Sequence, residues 1–326
     1  MEELNNAKDI ETRKVQKLGS SSLFITLPKK WINKWNVKPG DKILIEVSND
    51  GSLKLIAEKI KLENTHRSIR IDIDSLKQPL PSIIPCLYSL GYDEIIMESK
   101  KTIPPKDVED LIQVTKQMVG IEVTEVSENR IKVECLLDTE KVGVESLLRR
   151  MLNTIAKRVD DIIALISKEN LKDASANHED LKRLYYMLMR RIMGSKYETI
   201  KSMTRNSLIV INMSTLLNVG TLVDKLGESV RSLQLSEKES QIIIDTLKKV
   251  NDLLDEVVMT VLFPSTKRVL NGINLVKESR INLSQLDNST IVDYVRQILG
   301  LLETSLENSS CTLFLEDMPW IERNLT

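Results

Sequence analysis

Between Arg13 and Ala57, apolar and polar positions alternate in short runs separated by turn residues. RKVQKL and SLFITL have a period of two and predict strands. Pro28 suits the first turn of a short helix, KKWINKW, and Lys38-Pro39-Gly40-Asp41 predicts a turn. KILIEV and SLKLIAE flank Asn49-Asp50-Gly51, a hairpin pattern. The predicted order is β-β-α-β-β over residues 10–60, a unit too small to bury much apolar surface alone. It is expected to borrow core from a second copy.

The pattern changes over residues 65–140. RSIRIDI alternates, PSIIPCLYSLGYD reads as a helix, EIIMES as a strand, and PPKDVEDLIQVTKQMVG as a helix with Pro near its start. GIEVTEV and RIKVECL predict a hairpin across Ser127-Glu128-Asn129. These elements make a small α+β domain, read as a spacer or dimerisation module.

From 143 to 312 the period becomes helical. Leu148, Met151, Leu152, Ile155, Val159, Ile162, Ile163 and Ile166 follow i, i+3, i+4 spacing, as do Leu181, Leu184, Tyr185, Leu188 and Ile192. Leu216, Val219, Val223, Leu226, Val230 and Leu233 step 3, 4, 3, 4, 3, a coiled-coil-like seam. Ile243 to Val261 and Ile291 to Leu306 give two more helices. Long helices with short connections predict an antiparallel bundle. The fold class is thus multidomain α+β, with a small N-terminal β unit, an α+β middle domain and a C-terminal helical bundle.

Composition changes this picture at few points. A length of 326 residues suits two or three domains, and an aromatic content of 4% favours aliphatic helix packing. Cys86, Cys135 and Cys311 are widely separated and in no metal-like spacing, so reduced and mostly buried thiols in a cytoplasmic protein are expected. The opening residues MEELNNAKDIE do not resemble a secretory signal, and no apolar run is read as approaching a membrane span, so a soluble chain without membrane insertion is expected. His66 and His178 lie in different domains. No G-x-S-x-G or G-x-x-x-x-G-K-[ST] sequence is present, so no enzyme activity and no cofactor are predicted.

Charge does alter the reading. The chain carries a formal net charge of −1, yet residues 13–42 hold eight lysines and arginines against Asp41 alone, a net of +7. A basic patch on a small β unit, doubled by dimerisation, is the electrostatic footprint of a nucleic-acid binder. Ser20, Ser21 and Ser22 offer short hydroxyls and backbone N–H groups to phosphate oxygens, and Gly19 permits close approach.

The stretch RKVQKLGSSSLFITLPKKWINKWNVKPGDKILIEVSNDGSLKL resembles the AbrB/MazE/SpoVT swapped-hairpin DNA-binding family. The likeness lies in the basic first strand, the Gly and small residues, the strand closing at Leu27-Pro28, the helix with Trp31, and Val37-Lys38-Pro39-Gly40-Asp41 before a strand and hairpin. The resemblance implies an intertwined homodimeric barrel that binds DNA through Arg13, Lys14, Lys17, Ser20, Ser21 and Ser22, supported by Lys29 and Lys30. Only Arg13 is an arginine there, and lysine acts as a point charge, which argues against strict base readout.

The whole layout resembles PhoU-type phosphate uptake regulators that carry an AbrB-like domain, through LLRRMLNTIAKRVDDIIALI, HEDLKRLYYMLMRRI and STLLNVGTLVDKLGESVRSL. That resemblance implies a transcriptional regulator of phosphate uptake, with the bundle receiving a signal from a transporter ATPase subunit or a signalling protein. The alternative is an interaction scaffold that docks on a phosphate transporter without binding DNA. An antitoxin-like partner of a nuclease is disfavoured by the long bundle.

The family's paired helix carboxylates are incomplete here: Gly220 stands four residues before Asp224, and Lys182 precedes Arg183-Leu184-Tyr185 where an acid is usual. Asp161, Glu179, Asp224 and Glu228 remain as metal candidates, and no multinuclear site is predicted. Gly220 and Gly227, seven apart on one helix face, predict close helix packing instead.

Overall fold

The computed structural model describes residues 11–19, 22–47, 52–57, 66–76, 78–137, 142–168, 178–194, 200–232, 235–287 and 289–315. The chain divides into two compact units, 1–65 and 66–326.

The first unit contains β1 (Gln16–Leu18), β2 (Ser22–Phe24), α1 (Lys29–Lys34), β3 (Ile43–Val47) and β4 (Leu53–Ala57). Its strands form two separate antiparallel ladders, β1–β2 and β3–β4. Pro28 accepts the first helical bond of α1 from the Ile32 N–H at 3.0 Å. At the Lys38–Asp41 turn, the Asp41 N–H donates to the Lys38 carbonyl, while the Asp41 carboxylate accepts from the Lys38 N–H at 2.7 Å. The Asn49-Asp50-Gly51 hairpin turn falls outside the described residues. Of the described apolar residues here only Ala57 is buried, whereas Val15, Leu18, Leu23, Ile45, Val47 and Leu53 are all at least 59% exposed. Two short ladders cannot close a core around those side chains.

The second unit begins with an α+β layer. A four-stranded sheet has the order β5 (Ser68–Asp72), β6 (Glu94–Glu98), β8 (Arg130–Cys135), β7 (Ile121–Val126). β5 and β6 are parallel and joined through α2 (Leu80–Ser89), and the β7–β8 hairpin pairs antiparallel to β6. Side chains alternate across the pleat. Ile95, Met97, Ile131 and Val133 join Leu80, Ile84 and Tyr88 of α2 and Leu111 of α3 (Pro105–Thr115) in one cluster. The opposite face carries Arg70, Asp72, Glu94, Glu98, Arg130, Lys132 and Glu134.

Six helices follow: α4 (Val144–Ile166), α5 (His178–Met193), α6 (Ile200–Ser232), α7 (Glu237–Leu262), α8 (Thr266–Leu283) and α9 (Thr290–Ser310). They fall into two like-connected triplets. In α4–α5–α6 each helix packs on the other two, α7–α8–α9 repeats this, and α4 meets α7 while α6 meets α9. One aliphatic core runs through both triplets. The start of α7 is fixed by a reciprocal capping box between Ser236 and Glu239, and α9 starts at Ser289, whose hydroxyl accepts from the Val292 N–H.

Three expectations need correction. α8 has no counterpart in the helical pattern read from the sequence, because its inner row, Gly272, Val276, Ser279 and Leu283, contains only two strongly apolar residues. Residues 203–232 of α6 are long and apolar enough to cross a membrane by length and composition. Their aliphatic side chains spread around the helix, and Leu216, Val219, Val223 and Leu226 are buried against neighbouring helices. Finally, Cys86 and Cys311 are exposed and Cys135 is partly buried, so the thiols are not mostly interior.

Candidate nucleic-acid interface

The basic segment folds as a narrow ribbon. β1 and β2 pair with Gln16 opposite Phe24, Lys17 opposite Leu23 and Leu18 opposite Ser22. Gly19 follows β1 with φ +67°, in the left-handed region where a side chain is disfavoured, and a Cβ there would meet no atom within 4 Å. That glycine therefore serves the turn, not packing. Ser20 and Ser21 lie outside the described residues, and Ser22 is exposed at the start of β2.

Arg13, Lys14, Lys17, Lys29 and Lys30 are all exposed. Arg13 ion-pairs with Glu11 and reaches the Thr12 carbonyl, so part of its charge is already compensated. Lys29 and Lys30 open α1, where the positive end of the helix dipole disfavours cations. Their placement is thus not explained by helix stability, but an anionic ligand would offset the repulsion. Lys34 lies 5.2 Å from the Trp35 ring centroid on the far end of the same helix.

The acidic candidates do not converge. Asp224 faces Arg158, whose guanidinium is 3.3 Å away and almost wholly buried between α4 and α6. Asp161 lies on α4, Glu228 is exposed one turn after Asp224, and Glu179 is placed by the backbone of α5 while its side chain lies outside the described structure. Among the described residues no three His, Cys, Asp or Glu side chains group to hold a metal ion. At Gly220 a Cβ would lie 2.2 Å from Leu181 Cδ2 and 3.6 Å from a terminal nitrogen of Arg158. A Cβ at Gly227 would make ordinary contacts of 3.5 and 3.6 Å with Ile162. The close approach of α5 to α6 therefore centres on Gly220.

Basic residues near the start of α5 have a structural task. Lys182 donates to the Gln117 side chain at 2.8 Å, and Arg183 donates twice to the Lys116 carbonyl just beyond α3. Arg190, not singled out by the sequence, is 3% exposed. It donates to the Tyr88 and Tyr92 carbonyls at 3.0 and 2.7 Å and to Asp93 at 2.6 Å, with the Tyr88 ring 5.1 Å away. The signal was a second stripe on α5, Arg183, Met187 and Arg190, beside the apolar row that read as the helix's packing face.

No curated protein and no solved structure matches the chain. The family model described as Antidote-toxin recognition MazE, bacterial antitoxin, matches residues 16–63, so the N-terminal unit carries a domain of the MazE/AbrB type.

Proposed function

We propose that the protein is a cytoplasmic, dimeric DNA-binding transcriptional regulator, and not an enzyme. The observation that carries this reading is the N-terminal unit itself. The lysines and arginines of the +7 stretch, residues 13–42, are all exposed, and from residue 16 onward the stretch falls in the segment matched by the MazE family model. Phosphate backbones attract such a cluster, and counterion release makes the affinity depend on salt.

The exposed aliphatic side chains of the same unit support a homodimer, because a second copy is the simplest source of the missing core. Regulation of phosphate uptake rests on the resemblance of the helical segments to PhoU-type regulators. In that reading the helices receive the phosphate-status signal from a transporter ATPase subunit or a signalling protein. DNA binding would respond only if the partner favours one dimer geometry over another.

The test is binding of the full-length protein to DNA from upstream of its own gene and to scrambled DNA at several salt concentrations. Preferential binding that weakens steeply with salt and is lost in a Lys14→Glu, Lys17→Glu variant is expected. Binding unchanged in that variant would contradict the assigned face. Absence of binding to both DNAs would favour the scaffold that docks on a transporter.

A further inference from the structure

The parallel strands β5 and β6 end side by side at Asp72 and Glu98, and β8 begins beside them at Arg130, so these three residues form one row across the sheet. In sheets with parallel strands the region beyond the carboxyl ends is a recurrent ligand position, because loops diverge there and leave a crevice. Here that region is an open cavity of about 560 Å³, within the usual range for small-molecule sites. Arg70, Lys100, Arg130 and Asn129 line it together with Asp72, Glu98 and Ser99.

Its acceptors are largely committed, and of its cationic side chains Arg130 already pairs through Nη1 with Glu125 at 3.4 Å. Asp72 accepts from the Asp74 N–H at 3.1 Å and from the Ser75 hydroxyl at 2.8 Å. Ser99 donates to Asp74 at 2.9 Å, and its backbone N–H binds the Asn129 carbonyl. Glu98 lies between two guanidinium groups but is 3.7 Å from each, beyond hydrogen-bonding length. Arg130 Nε is buried and makes no hydrogen bond. A buried donor without an acceptor is costly, and a guanidinium fork fits a planar or tetrahedral oxyanion.

We infer that this cavity binds a small metabolite that carries two negative charges on oxyanion groups, held by Arg70, Arg130 and Lys100. The phosphomonoester and dicarboxylate classes share that chemistry. No aromatic ring is among the described lining residues, so a stacked nucleobase has no platform there. The site is separate from the basic ribbon of residues 13–42 and does not depend on DNA binding.

Calorimetric titration of the full chain with glycerol 3-phosphate, succinate and inorganic phosphate tests the site. Saturable binding of at least one probe, one per chain, is expected. Arg70→Gln and Arg130→Gln should each weaken it by about tenfold or more, whereas Arg149→Gln, on the exposed side of α4, should not. Which probe binds separates phosphomonoester from dicarboxylate. Heat denaturation checks each variant. If Arg130→Gln does not fold, Arg70→Gln decides, since the Arg70 side chain is 67% exposed. No binding of any probe at millimolar concentration, binding that survives the pocket substitutions, or binding lost only in Lys14→Glu, Lys17→Glu would overturn the inference.

Discussion

Asp74 shows how one side chain organises a loop. Its carboxylate accepts from the Lys100 N–H at 2.7 Å and from the Ser99 hydroxyl, and these bonds hold its pKa below the ordinary 3.8, with Lys101 and Lys100 adding smaller pulls in the same direction. A depressed folded pKa contributes stability that is complete above the unfolded value and disappears as pH falls through the folded value. Asp74→Asn should therefore lower the melting temperature at pH 7, and the gap from wild type should close below pH 3.8. A gap that persists unchanged into strong acid would show that the charge is not responsible. Glu94 and Glu134 are lowered chiefly by hydrogen bonds from Lys132, which they raise in turn, so the polar sheet face is an ordered ladder of charge.

Among the helices, the contact of α5 with α6 separates two glycines that look alike in the sequence. Glycine inside a helix costs about 1 kcal/mol relative to alanine. Gly227 has room for a methyl group, so Gly227→Ala should stabilise the protein by about 0.5–1 kcal/mol in denaturant titration. Gly220→Ala should give no such gain, because Leu181, fully buried, would have to move. Adding Leu181→Ala should remove the difference between the two glycine substitutions, although the cavity it leaves is itself destabilising. Equal effects of Gly220→Ala and Gly227→Ala would contradict a contact centred on Gly220. Beside this contact, α5 is fastened to the α+β layer by Lys182, Arg183 and Arg190, so one helix belongs to both packing systems.

For the molecule as a whole, the proposed dimer rests on the N-terminal unit. Its apolar side chains protrude, with Val47 75% and Leu23 71% exposed, while the second unit has an extensive core of its own. Light scattering of the full chain should give a dimer, and Leu23→Asp with Val47→Asp should yield a folded monomer, since the second unit does not need those residues. A wild-type monomer, or a dimer unaffected by the two substitutions, would place the assembly elsewhere.

The period of two in SLFITL, KILIEV and RIKVECL, and the 3, 4 spacing of the long apolar rows, carry the element types, because pleat and helix geometry determine which side chains share a face. The same alternation with turn chemistry carries the β-β-α-β-β order, and local charge carries the basic ribbon. Other features depend on residues far apart in the chain. α8 shows its role only when Gly272 and Ser279 are seen against neighbouring helices, and Arg190 only when Asp93 and two carbonyls, nearly a hundred positions away, surround it. Arg70, Glu98 and Arg130 likewise meet through strand register, which no local pattern encodes. Sequence alone determined periodicity, turns and local charge, since each depends on neighbouring residues. Tertiary structure decided which polar groups are buried and which converge, since desolvation and hydrogen bonding depend on what the fold brings together.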